Sequence, residues 1–512
     1  MSSDQTTQSE SAAPAAPAAE AAPAGPDLFQ QILDQSRQDI LKASRIGDAA
    51  PAEQKSYQLD LVGQLIKEVL SDTTKVSADT EEMINARIAE IDQLLSDQLN
   101  AVMHDPEFQK LEASWRGLHY LVDKSETGDM LKIRVLNATK KEVLRDLDKA
   151  KEFDQSKLFK KVYTAEYDQF GGEPYGALIG DYEFGKHPQD IELLKKISGV
   201  AAAAHAPFLS AAAPSMFGFE SFEELPKVRD LGEIFQAREY DKWKSFRESE
   251  DSRYVGLTIP HTLMRLPYGP DTKPVDSFNY REDVTGRDST KYLWGNAAYA
   301  LGARLTEAFA LYGWCASIRG VENGGLVQDL PLHPFTNERG ETVNKCPTEV
   351  LVSERQEYQL ANLGFIGLTH CKNTDFAAFF SAQSCQKPFK YDDPGAEANA
   401  RLSSALPYIL MTSRFAHYLK AIARDKVGSL MSRTDTQTWL NNWITNYVTP
   451  DDTASPDAKR KGPLREARID VEDDPRRPGC YRAVAYLRPH FQLEELTVSL
   501  RLVSELPAPR GK

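Results

Sequence analysis

The amino-acid sequence predicts a mixed α/β protein, a central sheet flanked by helices, with a helical segment near its N-terminus. Three stretches carry that expectation. Residues 175–213 read as strand, turn, helix and strand: an apolar run lies between Pro174 and Gly180, then Ile191, Leu194, Ile197 and Val200 recur at helical spacing, and residues 205–212 return as a second strand. That is a βαβ-like unit. Thr80–Met103 is amphipathic, with Ile84, Ile88, Ile91, Leu95, Leu99 and Val102 on one stripe. Near the C-terminus, residues 481–488 and 496–503 alternate apolar and polar side chains as strands do.

In chain order, residues 1–26 carry no large apolar side chain after Met1 and are expected to be disordered. A short helix at 27–35 follows, capped by Asp27, with Leu28, Phe29, Ile32 and Leu33 on one stripe. It either docks on the body or is a peptide read by a partner's groove. The polar stretch 45–56, which separates it from the body, favours the second. Residues 57–70 are helical. Asp105-Pro106 opens a helix whose Phe108, Leu111, Trp115, Leu118 and Val122 form a seam suited to helix-on-helix packing. Leu131, Ile133 and Val135 alternate with Lys132 and Arg134 as a half-exposed strand, and Lys140–Lys149 returns to helix.

Beyond the βαβ-like unit come a charged helix at 239–250 and a strand at 254–260 that ends near His261. The long loop 265–291 is expected to be functional or ordered by a partner. A buried helix ends near Trp314, Ser353 and Gln356 form a capping box for a helix at 354–363, and residues 365–369 are a strand. The composition shifts near Asn373, which suggests a boundary between a core at 57–372 and a C-terminal part at 373–512. Helices follow at 396–402, Leu406–Asp425 and 436–448, then a polar, Pro-rich linker at 449–478. The last strand places Leu496, Val498, Leu500 and Leu502 on one face, and its edge is suited to joining a neighbour's sheet.

The chemistry is narrower than the length of 512 residues allows. A net charge of -14 argues against nucleic-acid or anionic-membrane surfaces. The apolar run at 292–314 contains Asn296, Arg304 and Glu307, so it reads as a core helix and not a membrane span. No basic segment followed by an apolar core stands near the N-terminus as a secretion signal would require. Five cysteines without a C-x-x-C pair read as reduced thiols of a cytoplasmic protein. The nine histidines show no H-E-x-x-H or H-x-H spacing, so no metal, cofactor or catalytic residue is assigned.

One motif tempts an enzymatic reading, that of a soluble, oligomeric, nucleotide-dependent enzyme. Residues 180–187 match G-x-x-x-x-G-K but end in His187 where a phosphate loop needs Ser or Thr, and Asp181 and Glu183 would repel phosphates. The bland reading is a strand-to-helix turn. Arg414, His417, Lys420, Arg424 and Lys426 concentrate basic charge on one helix, as either a solvated face or a partner-gripping one.

Several segments in the same order resemble a known family: Pro106-Glu107-Phe108 through Trp115-Arg116-Gly117-Leu118, residues 176–185, Leu363-Gly364-Phe365, and Leu487-Arg488-Pro489-His490-Phe491-Gln492-Leu493 with the terminal strand. Together they resemble the large contractile sheath subunit of bacterial type VI secretion systems, the TssC or VipB family, over about residues 59–506. The resemblance implies a phage tail-sheath-like fold with a C-terminal gpW/gp25-like part and a structural, non-enzymatic role. It also implies partners: a small sheath subunit, neighbouring sheath protomers, an inner tube, a baseplate, and a hexameric AAA+ ATPase that disassembles contracted sheaths. The place implied is the bacterial cytoplasm. On this reading Leu28, Phe29, Ile32 and Leu33 meet the ATPase, Leu496, Val498, Leu500 and Leu502 link the lattice, and Arg414, Lys420 and Arg424 face the tube.

Overall fold

The computed structural model describes residues 80–490 and 492, apart from 287, 338, 373, 427–430 and 474–480. The tail at 1–26, the helices expected at 27–35 and 57–70, and the strand expected at 496–503 lie outside the described residues. The chain divides into two compact units between Glu90 and Ile91, and the elements from Ile91 onward belong to the second.

In chain order the main elements are helices α1 (Thr80–Met103), α2 (Pro106–Asp123) and α3 (Lys140–Lys149), strand β1 (Leu178–Phe184), helix α4 (Pro188–Ala204), strands β2 (Phe208–Ala212) and β3 (Val255–Ile259), helix α5 (Ala298–Tyr312), strand β4 (Leu326–Val327), helix α6 (Glu354–Asn362), strands β5 (Phe365–His370) and β6 (Ala377–Phe379), helices α7 (Pro394–Ser404), α8 (Leu406–Asp425) and α9 (Arg433–Thr445), and strands β7 (Leu464–Asp473) and β8 (Tyr481–Pro489). A six-stranded sheet runs in the order β1-β2-β3-β5-β6-β4. Its first four strands are parallel, in the registers Leu178 to Phe208, Phe208 to Val255 and Leu257 to Phe365. β6 runs antiparallel to both β5 and β4.

The βαβ unit forms as the sequence predicts, because each local signal agrees. His187 caps α4 and Pro188 occupies its first turn, where a missing N–H costs nothing. The helix ends at His205, which takes the left-handed conformation at φ 49. Ile191, Leu194, Ile197 and Val200 are all buried against Phe208, Val255, Leu257 and Phe365 on one face of the sheet. Leu209, Ile366 and Leu368 point to the other face, against Leu301 and Leu305 of α5 and Leu406, Ile409 and Leu410 of α8. Successive strand residues thus feed opposite cores, and the sheet is covered on both sides.

Helix α8 has a second buried face. Tyr408, Met411 and Phe415 meet Leu440 and Ile444 of α9 and Leu464, Ile469 and Val471 of β7, with Trp314 stacked on Phe415 at 4.6 Å. One helix therefore belongs to the core of the sheet and to that of the C-terminal part. A boundary at Asn373 would cut the β5–β6 ladder, in which Ala377 pairs with His370; the composition shift there marks a return strand within the sheet.

Other expectations change. Residues 131–135 form no ladder; Lys132 and Arg134 instead anchor the segment through ion pairs with Glu166 and Glu173. The linker expected at 449–478 contains a helical turn at Pro456–Lys461 and the ten residues of β7. β8 pairs with this strand from Glu466–Arg488 to Asp473–Tyr481.

The seam expected along α2 is not its packing face. Ala113, Gly117 and Leu121 are the buried residues, and Tyr299 of α5 lies over Gly117 so closely that a Cβ there would come within 2.3 Å of the ring. Only a glycine permits that approach. Gly117→Val is expected to cost about 1–3 kcal/mol by overpacking, read as a thermal midpoint several degrees lower. Gly199→Ala in α4 meets nothing within 4 Å and should be neutral or slightly stabilising by the same measurement.

Candidate interaction surfaces

The small-residue contact leaves one side of α2 facing outward. Trp115 is 66% exposed, Leu111 56% and Val122 45%, and on α1 Ile91, Leu94, Leu95 and Val102 are exposed as well. A tryptophan this exposed on an ordered helix is unusual and makes this side of α2 a candidate contact surface. The helix beneath it is held rigidly. Glu112 accepts from Arg116 at 2.7 Å and from Arg265 at 2.8 Å, while Arg265 makes a two-pronged pair with Glu282 at 2.6 and 3.0 Å. Burial alone would raise the Glu112 carboxyl, but the two guanidinium groups outweigh it and hold it below its ordinary value. Arg265, Tyr268 and Glu282 of the long loop are joined by this network, which braces α2 in turn.

The second surface is the hairpin of β7 and β8. Its inner face packs on α9, and α9 also covers one of its edges. Arg433, Gln437 and Asn441 recur every four residues on one side of that helix. The Asn441 amide exchanges two hydrogen bonds with the Ile469 peptide at 2.9 and 2.7 Å, the Val471 N–H donates to Gln437 at 3.3 Å, and Arg433 donates to the Val471 carbonyl at 3.4 Å. Ile469 and Val471 therefore turn their peptides away from β8. Their partners Ala485 and Ala483, with Leu487 and Tyr481 in the same phase, turn theirs outward on the opposite side. The outer edge of β8 is an open row of donors and acceptors, with no backbone partner from strands among the described residues.

The basic residues of α8 are engaged by the chain itself. Lys420 lies 4.1 Å from the Tyr167 ring centre and 2.9 Å from Asp168, and it donates to the Tyr163 hydroxyl. Arg424 donates to the Gln169 carbonyl and stacks on Phe170, Arg414 stacks on Phe309 and Tyr418, and Lys426 sits over Trp439. His417 is buried with Nε2 on the Ala204 carbonyl at 2.9 Å; burial brings its pKa down to about 4 and keeps it neutral. Lys420 and Arg424 tie α8 to residues 163–170, Arg414 and Lys426 stack on other rings, and the stripe is a partly exposed face whose charged heads are engaged within the chain.

The Walker-like stretch is not a loop. Residues 180–184 lie inside β1, whose register shifts between Ile179 and Glu183. The Gly180 and Tyr182 carbonyls released by that shift are met by Ser210 Oγ at 2.8 and 2.7 Å and by Asn296 Nδ2 at 3.4 and 3.2 Å. The Gly185 N–H donates to Asp190, and Lys186 pairs with Glu239. A phosphate cradle needs free N–H groups and an available lysine, whereas here the Gly185 N–H and the Lys186 ammonium are already engaged by carboxylates.

Sequence reading missed a half-buried charge cluster just past the end of β3. His261 bridges Glu349 at 2.5 Å and Glu183 at 3.0 Å, and the Phe222 N–H also donates to Glu349. Burial would lower the imidazole's pKa, but its hydrogen bonds to both carboxylates carry it up to about 10. The three residues are 78 and 88 positions apart, so no spacing signals them. Among the described residues no helix is long and apolar enough to cross a membrane, and no three His, Cys, Asp or Glu side chains gather as a metal site requires.

Two family models match the chain. The VipB model, described as EvpB/VC_A0108, tail sheath N-terminal domain, covers residues 85–386, and VipB_2, the EvpB/VC_A0108 tail sheath gpW/gp25-like domain, covers residues 395–506. The type VI secretion system sheath protein TssC1 of Pseudomonas aeruginosa is 52% identical over 452 residues, 88% of this chain and 91% of that one. Among solved structures, a chain of the anti-feeding prophage baseplate aligns at TM-score 0.37 and 11% identity, covering 73% of this chain and 84% of that one. A chain of the contracted anti-feeding prophage sheath aligns at TM-score 0.30 and 11% identity, covering 60% and 66%.

The His261 bridge sets a pH dependence. Its folded pKa of about 10 lies above the ordinary 6.5, so its stabilisation is full below 6.5 and fades as pH rises toward 10. Thermal unfolding of the wild type should exceed that of His261→Gln by its widest margin just below pH 6.5, with the margin closing at alkaline pH. A margin independent of pH would show that no imidazolium sits between the two carboxylates.

Proposed function

Because the chain belongs to the EvpB/VipB tail-sheath family of type VI secretion systems, we propose that it is the large structural subunit of a contractile sheath. On this reading it pairs with a small sheath subunit and polymerises around an inner tube, and contraction drives the tube and its effectors into a target cell. The work is mechanical, and the partners are proteins.

The observation that carries the pairing is the α2 platform. Trp115, Leu111 and Val122 face outward from a helix fixed by Tyr299 behind it and by Arg265 beside it. A rigid aromatic anchor is the kind of residue that dominates an interface. Covering Trp115 and Leu111 would remove on the order of 200 Å² of apolar surface, roughly 5 kcal/mol before the costs of association. The small sheath subunit is the proposed occupant.

The open edge of β8 supports a second contact, between protomers. The strand expected at Leu496, Val498, Leu500 and Leu502 would add to a neighbour's β8 and knit the lattice by peptide hydrogen bonds. The stripe Leu28, Phe29, Ile32 and Leu33 is proposed to meet the AAA+ disassembly ATPase, with avidity along the sheath raising a modest single-site affinity. Arg414, Lys420 and Arg424 remain the sequence's candidates for tube contact, but their charged heads are already bound within the chain. The assembly is proposed to sit in the bacterial cytoplasm on a baseplate.

Co-expression with the small sheath subunit tests this function. The pair should copurify and form tubules visible by negative stain, whereas Trp115→Ala with Leu111→Ala should leave a folded chain that loses the small subunit. Retention of the small subunit at wild-type stoichiometry by that double variant would place the interface elsewhere.

A further inference from the structure

The short helix Asp241–Arg247, the helical turn Leu231–Ile234 and Lys387 border a cavity of about 430 Å³, whose lining includes Phe235, Trp243, Lys244, Arg247, Glu248 and Lys387. That volume is in the range of small-molecule sites. Arg247 is only 8% exposed. Its Nε donates to the Cys385 carbonyl and its Nη2 to the Asn362 carbonyl, both at 2.9 Å, which ties the helix to the end of α6. Those two bonds explain how the side chain is held, but they leave most of its donors over. A guanidinium carries five N–H groups, and among the described residues Nη1 makes no hydrogen bond and no carboxylate pairs with Arg247 within 4.0 Å. Burial lowers its pKa, and the neighbouring Cys385 and Glu248 only partly oppose that shift.

The Leu363-Gly364-Phe365 segment shapes the surroundings. Gly364 has φ 82, and a Cβ there would come within 3.1 Å of Arg247 Nε. Phe365 stacks on Trp243 with ring centres 5.6 Å apart. Trp243 is 2% exposed, and its indole N–H has no hydrogen-bond partner among the described residues. The Lys387 N–H donates to the Arg247 carbonyl at 2.8 Å, which holds Lys387 beside the helix.

The charges here do not balance. Lys244 pairs with Asp241 at 3.0 Å and Lys387 with Glu248 at 3.7 Å, so three cations meet two carboxylates and the charge of Arg247 is left without a counterion. We propose that the cavity binds a small organic acid with one carboxylate on an apolar body, the carboxylate on the remaining N–H groups of Arg247 and the body against Phe235 and Trp243. A planar carboxylate matches the guanidinium fork, and one negative charge completes the balance. A phosphate monoester carries more charge than that, and an acidic side chain of another protein would have to reach a guanidinium more than nine-tenths buried.

Isothermal titration calorimetry of the full chain at constant ionic strength tests the site, with benzoate as the probe and benzyl alcohol as its uncharged counterpart. Benzoate should bind at least about tenfold more tightly than benzyl alcohol. Two exposed side chains should shift its affinity in opposite directions. Lys387→Met removes the excess positive charge and should weaken benzoate about threefold, whereas Glu248→Gln increases the excess and should strengthen it about threefold. A folded Arg247→Lys chain, which keeps the charge but loses the fork, should lose at least about tenfold, and the Lys387 and Glu248 variants decide the matter if that chain does not fold. Equal affinity for benzoate and benzyl alcohol, or a benzoate affinity unmoved by both Lys387→Met and Glu248→Gln, would overturn the proposal. So would tighter binding of a glutamate-containing peptide than of benzoate, which would make the cavity a contact for another chain.

Discussion

Each peptide group of a strand must find a partner or meet water, and the way this chain meets that requirement explains much of its form. Where β1 breaks register with β2, the hydroxyl of Ser210 and the amide of Asn296 take the carbonyls that the break releases. Asn296 also accepts from the Ala298 N–H at the start of α5, so the same side chain repairs the strand and seats the helix that covers it. On β7 the repair comes from α9, whose Asn441, Gln437 and Arg433 satisfy the outward peptides of Ile469 and Val471. Among the described residues nothing covers the outer edge of β8 in this way, and an edge left so is suited to pairing, since it is otherwise an aggregation hazard.

Rigidity near the other surface has a different source. α2 lies against α5 through a glycine and an aromatic ring, and ion pairs with Arg265 and Glu282 fix it laterally. Buried ion pairs add little net stability, because desolvation offsets most of the attraction, but they hold a geometry firmly. Such a geometry suits the contact proposed for α2, which would have to form the same way at every subunit. α8 plays the corresponding part for the C-terminal hairpin: one face completes the sheet's core, the other completes the hairpin's, and Lys420 and Arg424 fasten it to residues 163–170.

Much of this was legible in the sequence, for reasons of length scale. The βαβ unit, α8 and the Ser353 and Gln356 capping box were readable because their signals are local: a cap, a proline and a period of apolar residues. The α2 seam differs from the packing face because periodicity shows an apolar stripe but not what covers it; Ala113 and Gly117 look unimportant until the fold lays Tyr299, 182 positions later in the sequence, over Gly117. β7 was hidden by its charged residues, which alternate with Ala467, Ile469 and Val471 in a stretch flanked by prolines. The cluster around His261 depends on strand order, which no single segment encodes.

The central claim is that the open edge of β8 carries the connection between protomers, and Ala485→Pro tests it most directly. The Ala485 N–H points away from β7, so proline there removes an outward donor while leaving the intrachain ladder intact, the one strand position proline tolerates. Negative-stain microscopy of this variant co-expressed with the small sheath subunit should show a folded heterodimer and no long tubules. Full-length tubules at wild-type abundance would contradict the account.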